Sequence, residues 1–510
     1  MKYLPPLRVG RYSLIVCLLY GAGGALAGEP QTFPSQPPSE KIYRLSLEEV
    51  TQLALRNNLD IQLAEYDARI ARTEEGAAES IYDTMFTAEA EYHSDKSKQT
   101  STIAGNKTLD NDYNIGLSKK AATGTTVDVD LFNNRHRSNS AFSTSPLTHE
   151  STLGITVTQE LGRNFLGIQD RGDVKITLWD IENSGYTSLE KIEGILAQVQ
   201  KAYWDLVLEQ EGVRIQEAMV EQAKRLYDLH QEKLKKGLVE TPDAIAAQAH
   251  YEARKNDLVL AHHQFEIRVH ALKLLLNIGE DDSRPEPAED FSSPVYDQPL
   301  IPSLQQAFHS RRDYKKALNM IQAKDLNLSM KKNSLWPQID LTATMERNGI
   351  GDHFKQAVRQ ITEEDHPDFF AGLEVTLPLE NTEARARLKA AELEKAKALI
   401  SLKLLERRIA VEITDQVRSC NIFRQAALSQ ESIARLQKQK LEEEEKRFRY
   451  GRSETDVLIR FQEDWLEAEE AAAAAQHRYH TAMVDLALQE GSLLDKYWKT
   501  VSLEESRLDK

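Results

Sequence analysis

The residues that most invite a chemical reading are the histidines. His262 and His263 are adjacent, and His477 and His480 lie close together near the end of the chain. Two imidazoles can begin a metal site. Neither pair has a nearby cysteine or a suitable third ligand, so a solvated helix face is the simpler reading of both. Glu442 to Glu445, followed by Lys446 and Arg447, reads as an exposed helical face carrying local ion pairs. Gly21 to Gly24 sits in an apolar N-terminal segment and is not a phosphate loop. No Ser/His/Asp set and no Walker-type Gly-Lys motif stands in a suitable context. The expectation is a protein that is not an enzyme and uses no metal or cofactor. A formal charge of −16 argues against nucleic acid, because a phosphate binder needs a basic face.

With no reacting group to position, the elements themselves must carry the function. The chain has 510 residues, 28% of them charged, and a mean hydropathy of −0.52, so its bulk faces water. No internal apolar run reaches the roughly 18 residues of a spanning helix, so a spanning role would need a closed β-barrel. The N-terminus reads as a signal peptide. Lys2, Arg8 and Arg11 supply positive charge, Leu14 to Leu19 is apolar, and Ala25-Leu26-Ala27 forms an A-x-A cleavage site. Val16 stands before Cys17 where a lipoprotein signal has a small residue. Cleavage leaves Cys420 as the one cysteine, which excludes an intramolecular disulfide framework.

The chain reads as two unequal copies of one unit. Ala54, Asn58, Asp60 and Ala64 recur in spacing as Ala307, Arg311, Asp313 and Ala317. Both helical stretches then run into segments of period 2: Phe86 to Tyr92, and Ile339 to Met345 after Trp336-Pro337. Leu153 to Val157 and Phe369 to Leu377 alternate in the same way. An extra hairpin is expected in the first copy, pairing Tyr113 to Ser118 with Thr125 to Phe132 around Ala122-Thr123-Gly124. Alternation of this kind suits a barrel with lipid outside and water inside, but taken alone it favours a half-buried sheet on a soluble core, which alternates identically. The helices favour the barrel. Residues 168 to 236 and 382 to 450 lack proline, and each could form a helix about 100 Å long at ~1.5 Å per residue. Leu458, Phe461, Trp465, Ala468, Ala472, Ala475, Tyr479, Ala482 and Leu486 step by three and four as a heptad seam. Leu258, Ala261, Phe265, Val269, Leu272 and Leu276 form a less regular one. One chain has too few strands to close a wide barrel, so closure requires several chains. The expected organisation is a signal peptide at 1–27, a flexible leader at 28–43, a first helix–strand repeat at 44–280, a linker at 281–299, a second repeat at 300–497 and a C-terminal tail at 498–510.

Each long helix pair turns at a glycine. One turn reads Lys236-Gly237-Leu238-Val239-Glu240-Thr241-Pro242-Asp243; the other reads Tyr450-Gly451-Arg452-Ser453-Glu454-Thr455-Asp456. Glycine fits the left-handed position that ends a helix, and Thr or Asp suits the next N-cap. Together with the opening Ser46-Leu47-Glu48-Glu49 and Asn57-Asn58-Leu59-Asp60, and the junctions Gln159-Glu160-Leu161-Gly162 and Leu377-Pro378-Leu379, these turns make the chain similar to the TolC family of outer-membrane efflux proteins. The resemblance covers nearly all of residues 44–497. The chain departs from it at Leu59 and Glu160, where members usually have proline.

The resemblance implies a mainly α fold with β-barrel strands. It implies a homotrimer whose shared outer-membrane barrel joins a long periplasmic coiled-coil tunnel. It also implies a passive export duct, the outer-membrane channel of a tripartite efflux pump or a type I secretion system, in contact with outer-membrane lipid. The energy would come from an inner-membrane transporter linked through a periplasmic adaptor. On that likeness Gly237, Leu238, Val239, Gly451, Arg452 and Ser453 are adaptor contacts at the tunnel tip. Asp456 matches the first of an acidic gate pair found in some members, with Ile459 in place of the second, and Asp243 is its counterpart in the first repeat. Asp456 would form a three-fold ring or cap a helix. The competing reading of the chain is a soluble periplasmic coiled-coil adaptor or scaffold.

Overall fold

The computed structural model describes residues 42–98, 105–140, 145–279, 284–291, 298–364, 366–495 and 497. The expected signal peptide and C-terminal tail lie outside the described residues. In chain order the elements are β1 (Ile42–Leu45), α1 (Leu47–Asn57), α2 (Leu59–Glu79), β2 (Thr84–Asp95), β3 (Thr108–Lys120), β4 (Thr125–Ser138), β5 (Leu147–Glu160), α3 (Ile168–Lys235) and α4 (Thr241–Leu276). They continue with β6 (Arg284–Pro287), α5 (Leu300–Ser310), α6 (Arg312–Asn333), β7 (Gln338–Gly351), α7 (Phe354–Glu363), β8 (Pro367–Thr376), α8 (Thr382–Arg449) and α9 (Thr455–Glu490).

The helices begin and break where local chemistry requires it. Ser46 caps α1 through a capping box with Glu49. Asn58 then leaves the helical region (ψ 127°), and its side chain accepts the amides of Asp60 and Ile61 to start α2. The break between α5 and α6 has the same shape at Arg311 (ψ 125°), whose guanidinium holds Asp313. Each break is tied to the end of a long helix: Asn58 Nδ2 donates to Leu275 O, and Arg311 Nη1 to Gln489 O. α3 and α8 are 68 residues each, α4 and α9 36 each.

Among the described residues the two largest apolar cores of the bundle lie near the helix breaks. One joins Leu196, Val199, Tyr203 and Leu206 of α3 to Val50, Ala54 and Ile61, and to Leu272 and Leu276. The other joins Ile409, Ile413, Val417 and Cys420 of α8 to Ala307, Ala482 and Leu486. Each fully buried large side chain contributes about 1.5–3 kcal/mol. The Cys420 thiol donates to Ala482 O, and burial pushes its pKa up to about 12, so it packs as an inert apolar group. The alanines of the α9 seam are buried and let α8 and α9 approach closely. At the level of the helix breaks, Arg312 and Glu193 form a buried ion pair (2.7 Å). Arg312 also donates to Gly491 O and Asp495, and Glu193 also accepts the Leu494 amide.

The leader and linker are not wholly irregular. β1 takes Ile42 and Tyr43 from the expected leader, and β6 takes Arg284–Pro287 from the expected linker; the two pair in parallel. Pro285 and Pro287 are tolerated because β6 is an edge strand. Ala288 N donates to Leu45 O, as does the Tyr203 hydroxyl, which fastens this ribbon to α3.

The second sheet has six strands in the order β2-β3-β4-β5-β7-β8, all antiparallel. The extra hairpin, β3 and β4, is inserted within the sheet and turns at Ala121–Gly124, Gly124 having φ +73°. α7 was not expected from the sequence. It packs over β5 and β7 at the end far from the long helices, where Gly349 leaves room for the Ala357 carbonyl.

Candidate functional site

The sheet separates its chemistry by face. Its strands are 10–14 residues long, the length of a tilted membrane strand. Register aligns one set of alternate residues into a continuous apolar band: Phe86 to Tyr92, Tyr113 to Leu117, Val127 to Leu131, Leu153 to Val157, Ile339 to Met345 and Phe369 to Val375. This band is open to the surroundings; Phe86 is 63% exposed, Phe369 69% and Leu373 62%. Toward the end far from the helices polar residues enter this face: Arg347 stands opposite Leu153, and Asn133 opposite Tyr113 and Ser151.

The opposite face holds every carboxylate of these six strands: Glu89, Glu91, Asp95, Asp110, Asp112, Asp128, Asp130, Glu150, Glu160, Asp340, Glu346, Asp368 and Glu374. Its basic residues are His93 and His136, with Lys120 at the helix end tied to Asp170 and Glu160. Local hydrogen bonds order the acids: Asn134 donates to Asp112, Asn114 to Glu89, and Ser118 to Asp128.

The junction into α3 is built on close backbone approach. Leu161 N donates to Ile339 O and Arg163 N to Pro337 O, and a Cβ on Gly162 would lie 2.1 Å from Pro337 O. Asn164 adopts the left-handed conformation. It donates to Asn333 and Asp170 and caps the Gln169 amide. Glu160, where the family usually has proline, reaches Lys120 and Asn164.

At the opposite end, the two hairpin tips share one design. Gly237 (φ +70°) and Gly451 (φ +69°) each end a helix in a Schellman motif. Leu238 N donates to Lys233 O and Gly237 N to Leu234 O; Arg452 N donates to Arg447 O and Gly451 N to Phe448 O. Nothing lies within 4 Å of a Cβ added at either glycine, so Gly451→Ala should cost only the left-handed backbone, about 1–2 kcal/mol. Faster amide exchange of Arg452 would measure it. Leu238 and Arg452 are exposed, Val239 and Ser453 half-buried. The helices that follow start one residue earlier than expected. Glu240 and Glu454 are the N-caps, with no side-chain cap, and Thr241 and Thr455 are the first helical residues. Asp456 is therefore an exposed first-turn residue and not a cap. Counted from the glycine, Pro242 occupies the position of Asp456, and half-buried Asp243 stands one residue further on.

One titratable contact at the tip was not legible in the sequence. His230, fully buried on α3, bonds through Nε2 to the Thr455 hydroxyl (2.8 Å), and its Nδ1 has no hydrogen-bond partner. Phe448 of α8 packs beside it. Burial lowers its pKa, helped by Lys233 and opposed by Asp243 of α4. The unfolded chain takes up a proton below about pH 6.5 that the folded tip resists, so stability falls as pH falls through that value. Amide exchange at Thr455 should speed up on acidification, and His230→Gln should flatten that dependence.

The other histidines divide. His262 and His263 are exposed on α4. His477 and His480 do not sit on a solvated face: His477 bonds Asp205 (2.7 Å), and His480 stacks on Trp204, with ring centroids 4.0 Å apart. Of the acidic run, Glu444 is buried and pairs with Arg447, while Glu442 and Glu443 are exposed.

The described structure thus joins a six-stranded sheet, apolar on one face and acidic on the other, to helices about 100 Å long. Residues 50–277 match the model of the outer membrane efflux protein family, whose members are channels and not enzymes. Among solved structures, the chain is similar to the CmeC outer membrane channel of Campylobacter jejuni, with 17% identity, a TM-score of 0.62, and 92% of this chain and 94% of that chain covered. VceC of Vibrio cholerae matches with 16% identity, a TM-score of 0.63 and coverage of 87% and 96%. The open state of the MtrE outer membrane channel of Neisseria gonorrhoeae matches with 17% identity, a TM-score of 0.62 and coverage of 91% and 95%. At these identities the likeness is one of fold. No curated protein matches the sequence.

Proposed function

We propose that the protein is the outer-membrane channel of a tripartite efflux pump or type I secretion system, a passive duct with no nucleotide site of its own. The observation that carries this reading is the exposed apolar band on one face of the sheet, with all described strand carboxylates on the other. A soluble adaptor or scaffold would have no use for that band, which is far larger than a soluble monomer exposes. The free edges β2 and β8 would pair between protomers, since an unpaired edge cannot face lipid. Three copies of the six-stranded sheet would make a barrel of eighteen strands, wide enough for an aqueous lumen. The similar element lengths of the two halves support a duplicated helix–strand unit.

The helices would form the periplasmic tunnel. Gly237, Leu238, Val239, Gly451, Arg452 and Ser453 would offer the adaptor a preformed, largely exposed surface. Asp456, and more weakly Asp243, would line the gate near that tip, where separating the hairpins would open it. An inner-membrane transporter would supply the energy. Cell fractionation should recover the protein in outer membranes, with trimer bands that resist heating in detergent; recovery only from soluble periplasm would sink the reading.

A further inference from the structure

On the apolar face of the sheet, basic residues gather toward the end far from the long helices, beginning with Arg347 opposite Leu153. Arg135 and Arg137 of β4 continue the same alternate row as Val127, Val129 and Leu131. His149 of β5 stands opposite Arg135 in register, and α7 lies over the adjoining part of this face with Lys355 exposed. This is the end far from the long helices, just past Tyr113. Among the described strands the face has no carboxylate. Arg135, Arg137 and Lys355 have no ion-pair partner among the described residues.

A guanidinium beside an apolar surface is costly unless an anion meets it, and its planar donors match phosphate oxygens in pairs. The position says where that phosphate comes from. A lipid whose acyl chains lie on Val129, Leu131 and Leu153 places its headgroup at Arg135 and Arg137. We infer that this belt binds the phosphate groups of a membrane lipid in the leaflet remote from the helical tunnel and fixes the depth of the sheet in that leaflet. The inference rests on the proposed membrane role of the sheet.

The test uses the full processed chain reconstituted in nanodiscs of phosphatidylcholine, alone or mixed with lipid A, a phosphorylated glycolipid. Native mass spectrometry after a detergent wash reads the lipid retained. The expected result is selective retention of lipid A, lowered on the order of 30-fold in Arg135→Gln/Arg137→Gln. Arg135→Lys/Arg137→Lys should keep most of it, and Lys119→Gln, at the other end of the same face, all of it. Millimolar inorganic phosphate should not displace it. Equal retention of both lipids, no loss in the Gln pair, or displacement by inorganic phosphate would overturn the inference. A protein that inserts and conducts but shows no lipid A preference overturns this inference alone; one that does not insert overturns the channel reading with it.

Discussion

Arg312→Met is expected to destabilise the helical bundle by about 3–5 kcal/mol, because it leaves Glu193 buried and uncompensated. Both side chains are less than 10% exposed and their ion pair is 2.7 Å. The guanidinium also satisfies the Gly491 carbonyl at the end of α9, so one substitution loosens α3, α6 and α9 together. Burial already holds the Glu193 carboxyl above its ordinary pKa, with Arg312 opposing that rise. Without Arg312 the pKa should rise further, so the folded variant gains a proton more readily than the unfolded chain. Its deficit should therefore shrink as pH falls through that raised value. The double variant Arg312→Met/Glu193→Met removes the stranded charge and should recover most of the loss. Thermal unfolding of the single and double variants measures both; a single variant within about 1 kcal/mol of the parent would contradict this account of the pair.

The second large effect is expected in ion selectivity. Replacing Asp112, Asp128, Asp130 and Glu346 with their amides should move cation-to-anion permeability toward unity. A wall of one charge sign raises local counter-ion concentration by about tenfold or more, and these are four of the thirteen carboxylates on that face in each protomer. The same preference should weaken in the parent as salt rises from about 0.1 to 1 M, because the screening length shrinks from roughly 10 to 3 Å. Reversal potentials under a salt gradient read both. Unchanged selectivity in the amide variant would show that the acidic face does not line the conducting path.

Much of the fold was legible because period and punctuation coincide. The switch from 3.6 to 2 at Phe86 and after Trp336-Pro337 marks real helix-to-strand transitions, and the Gly237 and Gly451 turns end α3 and α8. The hairpin at Ala122-Thr123-Gly124 was legible as local pairing, but its insertion between β2 and β5 is a non-local fact. The β1–β6 ribbon escaped notice for the same reason: four residues each, two of them proline, paired across the first helix–strand unit. α7 left a readable trace, since Phe354, Ala357 and Ile361 recur at helical spacing, although only the latter two are buried.

The polar contacts were least legible. Glu193 and Arg312 lie 119 residues apart, and His230 and Thr455 lie 225 apart. Each reads in isolation as an ordinary helix residue. Alternation alone also fitted a half-buried soluble sheet; the register adds that all carboxylates of the six-stranded sheet lie on one face.

Planar-bilayer recording from the purified full chain tests the central claim most directly. The account predicts stable unitary conductance with a cation preference, from protein recovered in outer membranes. Protein found only in soluble periplasm, with no conductance after reconstitution, would contradict it.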